Sequence, residues 1–217
     1  KVKKLINITA ILIGAAAGAA FKPLSDTISR KLLEARSRVF KDDKTSFLIQ
    51  LAISAGLGAG IGWRSGLTLN SVFLLTLLFS GNIISTTDIQ YRIIPNEMVL
   101  TIAGIRIIFG VLSFLKIGDL PVWNPLMSLA GFAVLTVIFI LPTVTGGKIG
   151  MGDLKLAMAI GFASGLMPAL IAICLMGMLV LLYGAVQRHY AFQAFLKSSF
   201  PMGPFLCAAQ VLAFLIN

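Results

Sequence analysis

Asp88 and Asp153 are the residues of this chain best suited to acid–base chemistry. The sequence has only eight acidic side chains and one histidine among 217 residues. Asp88 ends one apolar stretch and Asp153 begins another, with two predicted membrane spans between them. Because an even number of spans returns the chain to its starting side, both carboxylates emerge on one face of a membrane whichever way the chain is inserted.

Two facing carboxylates are sufficient to hydrolyse a peptide bond. Groups that face each other across a water molecule cannot both ionise readily and therefore share a proton. The ionised group takes a proton from water while the protonated group polarises the peptide carbonyl. The pair titrates as a unit, so no proton is assigned to either residue alone. Asp88 and Asp153 are the predicted catalytic pair, acting without a metal or a nucleophilic serine.

The backbone before Asp153 is rich in glycine, at positions 146, 147, 150 and 152. Glycine has no side-chain bulk and adopts positive φ without strain, so an extended substrate backbone could come close there. The predicted substrate-facing positions are Gly150, Gly152, Pro95 and Asn96.

Three polar residues near the two aspartates have ordinary structural interpretations. Asn96 follows a proline and is expected to cap the next helix, with Glu97 in its first turn. Lys155 lies two positions after Asp153, on the other side of a helix, and is expected to snorkel to the lipid headgroups.

Other chemistries find little support in the sequence. His189 is the single histidine, and Cys174 and Cys207 stand alone in apolar stretches. These residues lack the spacing of a zinc site, and the sequence contains no nucleophile elbow, H-E-x-x-H motif or phosphate loop. We therefore predict no metal and no cofactor.

The composition is that of an integral membrane protein. Hydrophobic residues make up 58% of the chain and charged residues 12%, about half the charged fraction of a soluble domain. The net charge of +10 is distributed between apolar stretches, which favours contact with anionic lipid over nucleic acid.

The apolar stretches predict a single all-α domain over residues 1–217 with eight membrane spans, or seven if the sixth and seventh are one. A break at Gly165 and Pro168 is favoured, because proline disfavours helix in the residue before it. The first stretch has the basic start of a signal peptide, which the first span of a polytopic protein shares. The predicted spans are residues 5–21, 46–63, 70–87, 98–116, 126–143, 154–165, 168–186 and 203–217.

The basic residues predict that the N-terminus lies outside. In that orientation the inside loops hold more than twice as many Lys and Arg residues as the outside loops. Residues 22–45 then form a basic cytoplasmic segment, expected to lie on the membrane as an amphipathic helix. Its predicted apolar side contains Ile28, Leu32, Leu33 and Val39.

At the two aspartates the sequence resembles the type IV prepilin peptidases, intramembrane aspartic proteases of the Gly-x-Gly-Asp type. The resemblance covers most of the chain from the third span onward. One motif is Asp88 followed by Ile94-Pro95-Asn96, and a second is the Gly-Met-Gly-Asp-Leu-Lys-Leu of residues 150–156. The Phe-Pro-Met-Gly-Pro-Phe-Leu of residues 200–206 resembles the last span of the family.

The resemblance implies that leader peptides are cleaved from prepilins or pseudopilins at the cytoplasmic boundary of the bacterial plasma membrane. The cut would follow a glycine, just before the apolar helix of the pilin. Asp88 and Asp153 would be catalytic, and Gly150 and Gly152 would shape the loop. The expected partners are these substrates and membrane lipid, and the sequence does not indicate an oligomeric state.

The chain departs from the larger members of that family. They carry a zinc-binding insert with paired C-x-x-C motifs and an Asn-containing motif linked to N-methylation, and residues 18–26 match neither. N-methylation of the mature pilin therefore stays open. A small proton-coupled transporter or channel that uses the two aspartates is the alternative function, although both lie at one membrane edge and no inverted repeat is visible.

Overall fold

A computed structural model describes residues 2–144, 150–186 and 201–217, and in these residues all regular structure is helical. The predicted all-α class is confirmed. The eight described helices are α1 (Val2–Glu34), α2 (Lys44–Ser65), α3 (Leu69–Tyr91), α4 (Asn96–Phe114), α5 (Pro125–Val144), α6 (Met151–Ser164), α7 (Leu166–Val186) and α8 (Gly203–Ile216).

Six of the described helices are long and apolar enough to cross a membrane, namely α1 to α5 and α7. The chain is thus a polytopic helical membrane protein. Helices α6 and α8 have 14 residues each, or roughly 21 Å, against a hydrocarbon core of about 30 Å. The number of spans and the N-out orientation therefore stay predictions.

Short connections hold neighbouring helices antiparallel. Gly66, at φ 65°, ends α2, and Thr68 begins α3 by accepting a hydrogen bond from Ser71 N. The predicted break after the sixth stretch is confirmed at Gly165, which lies between α6 and α7 with φ 78°. Glycine is favoured at both φ values because a Cβ would strain them.

Gly56, Gly58, Gly60 and Gly62 of the second stretch form two overlapping G-x-x-x-G pairs, which predict the close approach of another helix. In the structure small residues let α1 and α2 pack closely. A Cβ on Gly58 would overlap the carbonyl of Gly14, and one on Gly62 would overlap that of Ala10. The prediction holds for this half of the pattern only. A Cβ on Gly56 would meet open space, and one on Gly60 would approach Leu215 of α8.

Helix α1 corrects the prediction for residues 22–45. It continues through Pro23 to Glu34, so that no separate helix starts at residue 22. Its buried stripe is Lys22, Ser25, Ser29 and Leu33, whereas Val39, from the predicted apolar side, is 79% exposed. The stripe is mostly polar because its groups meet polar partners on α3, which hydropathy cannot reveal.

Helix α3 is the centre of the bundle and carries Asp88 in its last turns. It packs against α1, α2, α4 and α8, and it is buried along most of its length. Arg92 ends it in a left-handed conformation, with its N–H bonded to Asp88 O at 2.8 Å. The surrounding helices therefore enclose Asp88 on several sides.

Candidate active site

Asp88 is almost completely enclosed, with 3% of its surface exposed. The backbone N–H of Gly203, the first residue of α8, donates a hydrogen bond of 2.8 Å to Asp88 Oδ2. A Cβ on Gly203 would lie 2.9 Å from that oxygen and 3.3 Å from Asp88 Cγ. Glycine is therefore what lets the start of α8 approach the carboxylate this closely.

Asp153 lies in the first turn of α6 and is half-buried. Burial raises the pKa of its carboxyl to about 6, and the negative charge of Asp88 adds to this rise, so the two predicted residues lie within electrostatic range of each other. The negative side chain is also favourably placed at a helix N-terminus. The two carboxylates thus belong to one site, reached from α3 and α6.

Gly150 gives the Asp153 side chain its space. It precedes α6 as the N-cap with φ −64°, which any residue can adopt, so the predicted role for positive φ is wrong here. A Cβ on Gly150 would lie 2.8 Å from Asp153 Oδ2. The Asp153 carboxylate therefore lies against the α-carbon of Gly150, in space that a side chain at position 150 would fill. Gly146 and Gly147 lie outside the described residues.

The two motifs touch each other directly. A Cβ on Gly152 would lie 3.3 Å from Ile94 Cβ, so that α6 starts close against the segment that follows α3. Lys155 Nζ donates to Asn96 Oδ1 at 3.2 Å. These contacts join the start of α6 to the start of α4 beside the two aspartates.

Asn96 and Lys155 therefore act differently from the expectation. The N-cap of α4 is Pro95, without a side-chain cap bond, and Asn96 is the first helical residue. The Asn96 side chain accepts a hydrogen bond from the Lys155 ammonium. Lys155 therefore binds within the protein, in addition to any contact with the lipid headgroups. Pro95 is buried and Asn96 exposed, so only Asn96 is at the surface.

A buried polar cluster lies two residues before Asp88, and the sequence did not indicate it. Lys22 is 2% exposed, is ion-paired with Asp26, and donates to Thr86 Oγ1 at 3.0 Å. Thr86 Oγ1 is also 3.0 Å from Gln50 Oε1. Lys22 and Asp26 belong to the segment predicted to lie on the membrane surface, but in the structure they tie α1 to α3.

Several charged residues outside the aspartate pair have structural partners. Glu97 pairs with Arg36 at 2.7 Å, and Asp42 pairs with Arg30 at 3.2 Å. Asp43 caps α2 by accepting from Thr45 N and Ser46 N. These contacts fix residues 35–43 over the end of the bundle that carries Asp88 and Asp153.

The residues considered for a metal site do not assemble one in the described part of the chain. Cys174 is exposed and Cys207 buried, and both are free thiols. Across residues 2–144, 150–186 and 201–217, three or more His, Cys, Asp or Glu side chains nowhere come together as metal ligands would. His189 lies outside the described residues.

Gly203 is the main site residue that the sequence argument left without a role. In the sequence it stands within the Pro-Met-Gly-Pro run of the last stretch. The signal that could have found it is a glycine between two prolines at the start of a short apolar helix. Its partner is 115 residues away in sequence, so the contact itself needed the fold.

Comparisons with known proteins show which family the chain belongs to. Residues 72–185, which include both aspartates, match the type IV leader peptidase family. A prepilin leader peptidase/N-methyltransferase of Bacillus subtilis (strain 168) is 32% identical over 183 residues, covering 79% of this chain and 67% of the relative. No solved structure matches the chain. On the family match and this relative, the chain belongs to the type IV leader peptidase family.

Proposed function

We propose that this peptidase is an intramembrane aspartic endopeptidase that removes the leader peptide of type IV prepilin or pseudopilin precursors. Asp88 and Asp153 are its water-activating pair, and the cut follows the leader glycine. It acts at the cytoplasmic boundary of the bacterial plasma membrane, where a basic leader is retained by the same charge rule that orients the enzyme.

The observation that supports this proposal is that Asp153 lies within electrostatic range of the buried Asp88. Each belongs to a different helix, and each is at least partly withdrawn from water. A site with little water strengthens the interaction of a carboxylate with a developing charge. The N–H of Gly203 holds the Asp88 carboxylate in place. Less conformational freedom is therefore lost when the pair reaches its reactive geometry.

In this mechanism the pair holds one proton between its two carboxyl groups. The ionised carboxyl removes a proton from the attacking water, and the neutral one donates to the peptide carbonyl oxygen. The tetrahedral intermediate then collapses when the leaving amine takes a proton from the pair and one hydroxyl of the intermediate returns a proton to it, so that the pair again holds one proton. No metal and no covalent intermediate enters these steps.

The test is cleavage of a prepilin-like substrate by the purified protein in detergent or lipid. Asp88→Asn and Asp153→Asn should each lower the rate on the order of a thousandfold or more, because residues acting as a unit lose most of their effect together. Asp119→Asn is the matched control, since Asp119 is exposed in the loop between α4 and α5. A folded Asp88→Asn or Asp153→Asn variant with full activity would refute the assignment.

The proposal is limited to peptidase activity. The name of the Bacillus relative also includes an N-methyltransferase, but no residue of the described site argues for methyl transfer here. Neither the described residues nor the comparisons favour the proton-coupled transporter that the sequence left as an alternative.

A further inference from the structure

A groove runs along the bundle beside Asp88, between α2, α3, α7 and α8. Its volume is about 570 Å³ and its walls are mainly apolar. On α3 it extends from Leu78 to Ile89, a distance of roughly 16 Å along a helix axis. It therefore has the length of about three helical turns.

The lining residues recur at helical spacing on three of the helices. Each helix turns one face toward the groove, as helices do when a further helix packs among them. The lining positions are Ile49, Ile53 and Leu57 on α2, Leu78, Asn82 and Ser85 on α3, and Pro204, Ala208 and Leu212 on α8. Ile49 and Ile53 are more than half exposed, so no residue of the described ranges covers the groove on that side.

One end of the groove adjoins Asp88. Ile89, which follows Asp88 in the chain, lines it, as do Pro201 and Pro204 on either side of Gly203. Gly203 is the residue whose N–H binds Asp88. The wall that holds the carboxylate is thus also the wall of the groove.

A second cavity of about 450 Å³, which several charged side chains line, continues from the same end. It shares Asp43, Ser46, Gln50 and Ile89 with the groove, and it adds charged side chains from residues 22–44. A ligand that is polar at one end and a helix at the other would fit this order of surfaces. The boundary between the polar part and the helical part of such a ligand would lie at the level of Asp88.

We propose that the groove binds the apolar helix of the peptidase's own membrane substrate, with the polar segment before that helix entering the cavity. This inference rests on the proposed function. Peptide groups inside a helix are hydrogen-bonded, whereas those at its N-terminus are free, so docking the helix in the groove would present its unwound end to the pair. The recognition is of the helix-in-groove kind.

Ala208→Leu tests the groove, because it adds three carbons to a half-buried wall position. Ala52→Leu is the matched control, since Ala52 is exposed on α2 and outside the groove lining. Two substrates are compared: a prepilin-like protein with its apolar helix, and a short peptide that spans the cleavage site and lacks the helix.

With Ala208→Leu, the KM for the helix-containing substrate should rise about tenfold, as overpacking a contact predicts. Cleavage of the short peptide should not change, and Ala52→Leu should alter neither. Equal slowing of both substrates, or an unchanged KM for the longer one, would overturn the groove assignment. Wild type that cleaves neither substrate would instead refute the proposed function.

A binding measurement separates the groove from catalysis. A photo-crosslinking amino acid at position 208 of the Asp153→Asn variant should capture the apolar helix of the longer substrate, whereas the same amino acid at position 52 should not. Capture of lipid alone at position 208 would overturn the inference. So would equal capture of substrate at both positions.

Discussion

The two aspartates are held in different ways. Asp88 is 3% exposed near the end of the central helix α3, and a backbone N–H from α8 fixes its carboxylate. Asp153 is half-buried at the beginning of α6, next to the bare α-carbon of Gly150. We therefore expect the two side chains to differ in mobility: Asp88 keeps a fixed position, and Asp153 adjusts to the substrate.

The largest effect that would test this comparison is expected from Gly203→Ala. The added Cβ would lie 2.9 Å from Asp88 Oδ2 and also close to its Cβ and Cγ, so α8 or Asp88 must move. Because such misplacement of a catalytic group is costly, we expect cleavage to fall about a hundredfold. Gly177→Ala is the control, since a Cβ there would meet nothing within 4 Å.

A smaller effect is expected from Gly150→Ala, which crowds the other aspartate. The Cβ would lie 2.8 Å from Asp153 Oδ2, the far end of a half-exposed side chain that can rotate away. We expect a loss of no more than about tenfold in kcat, equal to roughly 1.4 kcal/mol. If Gly150→Ala were more damaging than Gly203→Ala, the assignment of the fixed and adjustable carboxylates would be reversed.

The smallest effect is expected from Lys155→Met, which keeps the apolar stem but removes the donor to Asn96. Both side chains are exposed, so the loss should be about two- to fivefold in cleavage rate, as for a single exposed hydrogen bond. Asn96→Ala should cause a similar loss, and the double variant should be no worse than either. Additive losses would show that the two residues act separately.

The emergence of Asp88 and Asp153 on one membrane face could be predicted from the sequence because it depends only on counting the apolar stretches between them. The helical break at Gly165 was predictable as well, since local backbone preferences decide it. Both arguments use properties of short segments, and neither needs to know which helices are neighbours.

The contacts that refine the site were not predictable in this way. Lys22 appears in the sequence as an ordinary basic residue at the end of an apolar run. Inside the bundle, however, it donates a hydrogen bond to Thr86 of α3 and forms an ion pair with Asp26. Burial of a lysine is favourable only with such partners. The role of Gly203 likewise depends on α8 reaching α3, which no local pattern specifies.

The shortness of α6 has a consequence for the supply of water. Hydrolysis consumes one water molecule for each bond cut, and the centre of a bilayer holds almost none. With 14 residues, α6 is roughly 9 Å shorter than the hydrocarbon core is thick. Either the bilayer thins around it or one of its ends lies below the membrane surface. Thinning, or an end at Asp153 that admits solvent, would bring the second reactant to the depth at which the peptide bond is presented.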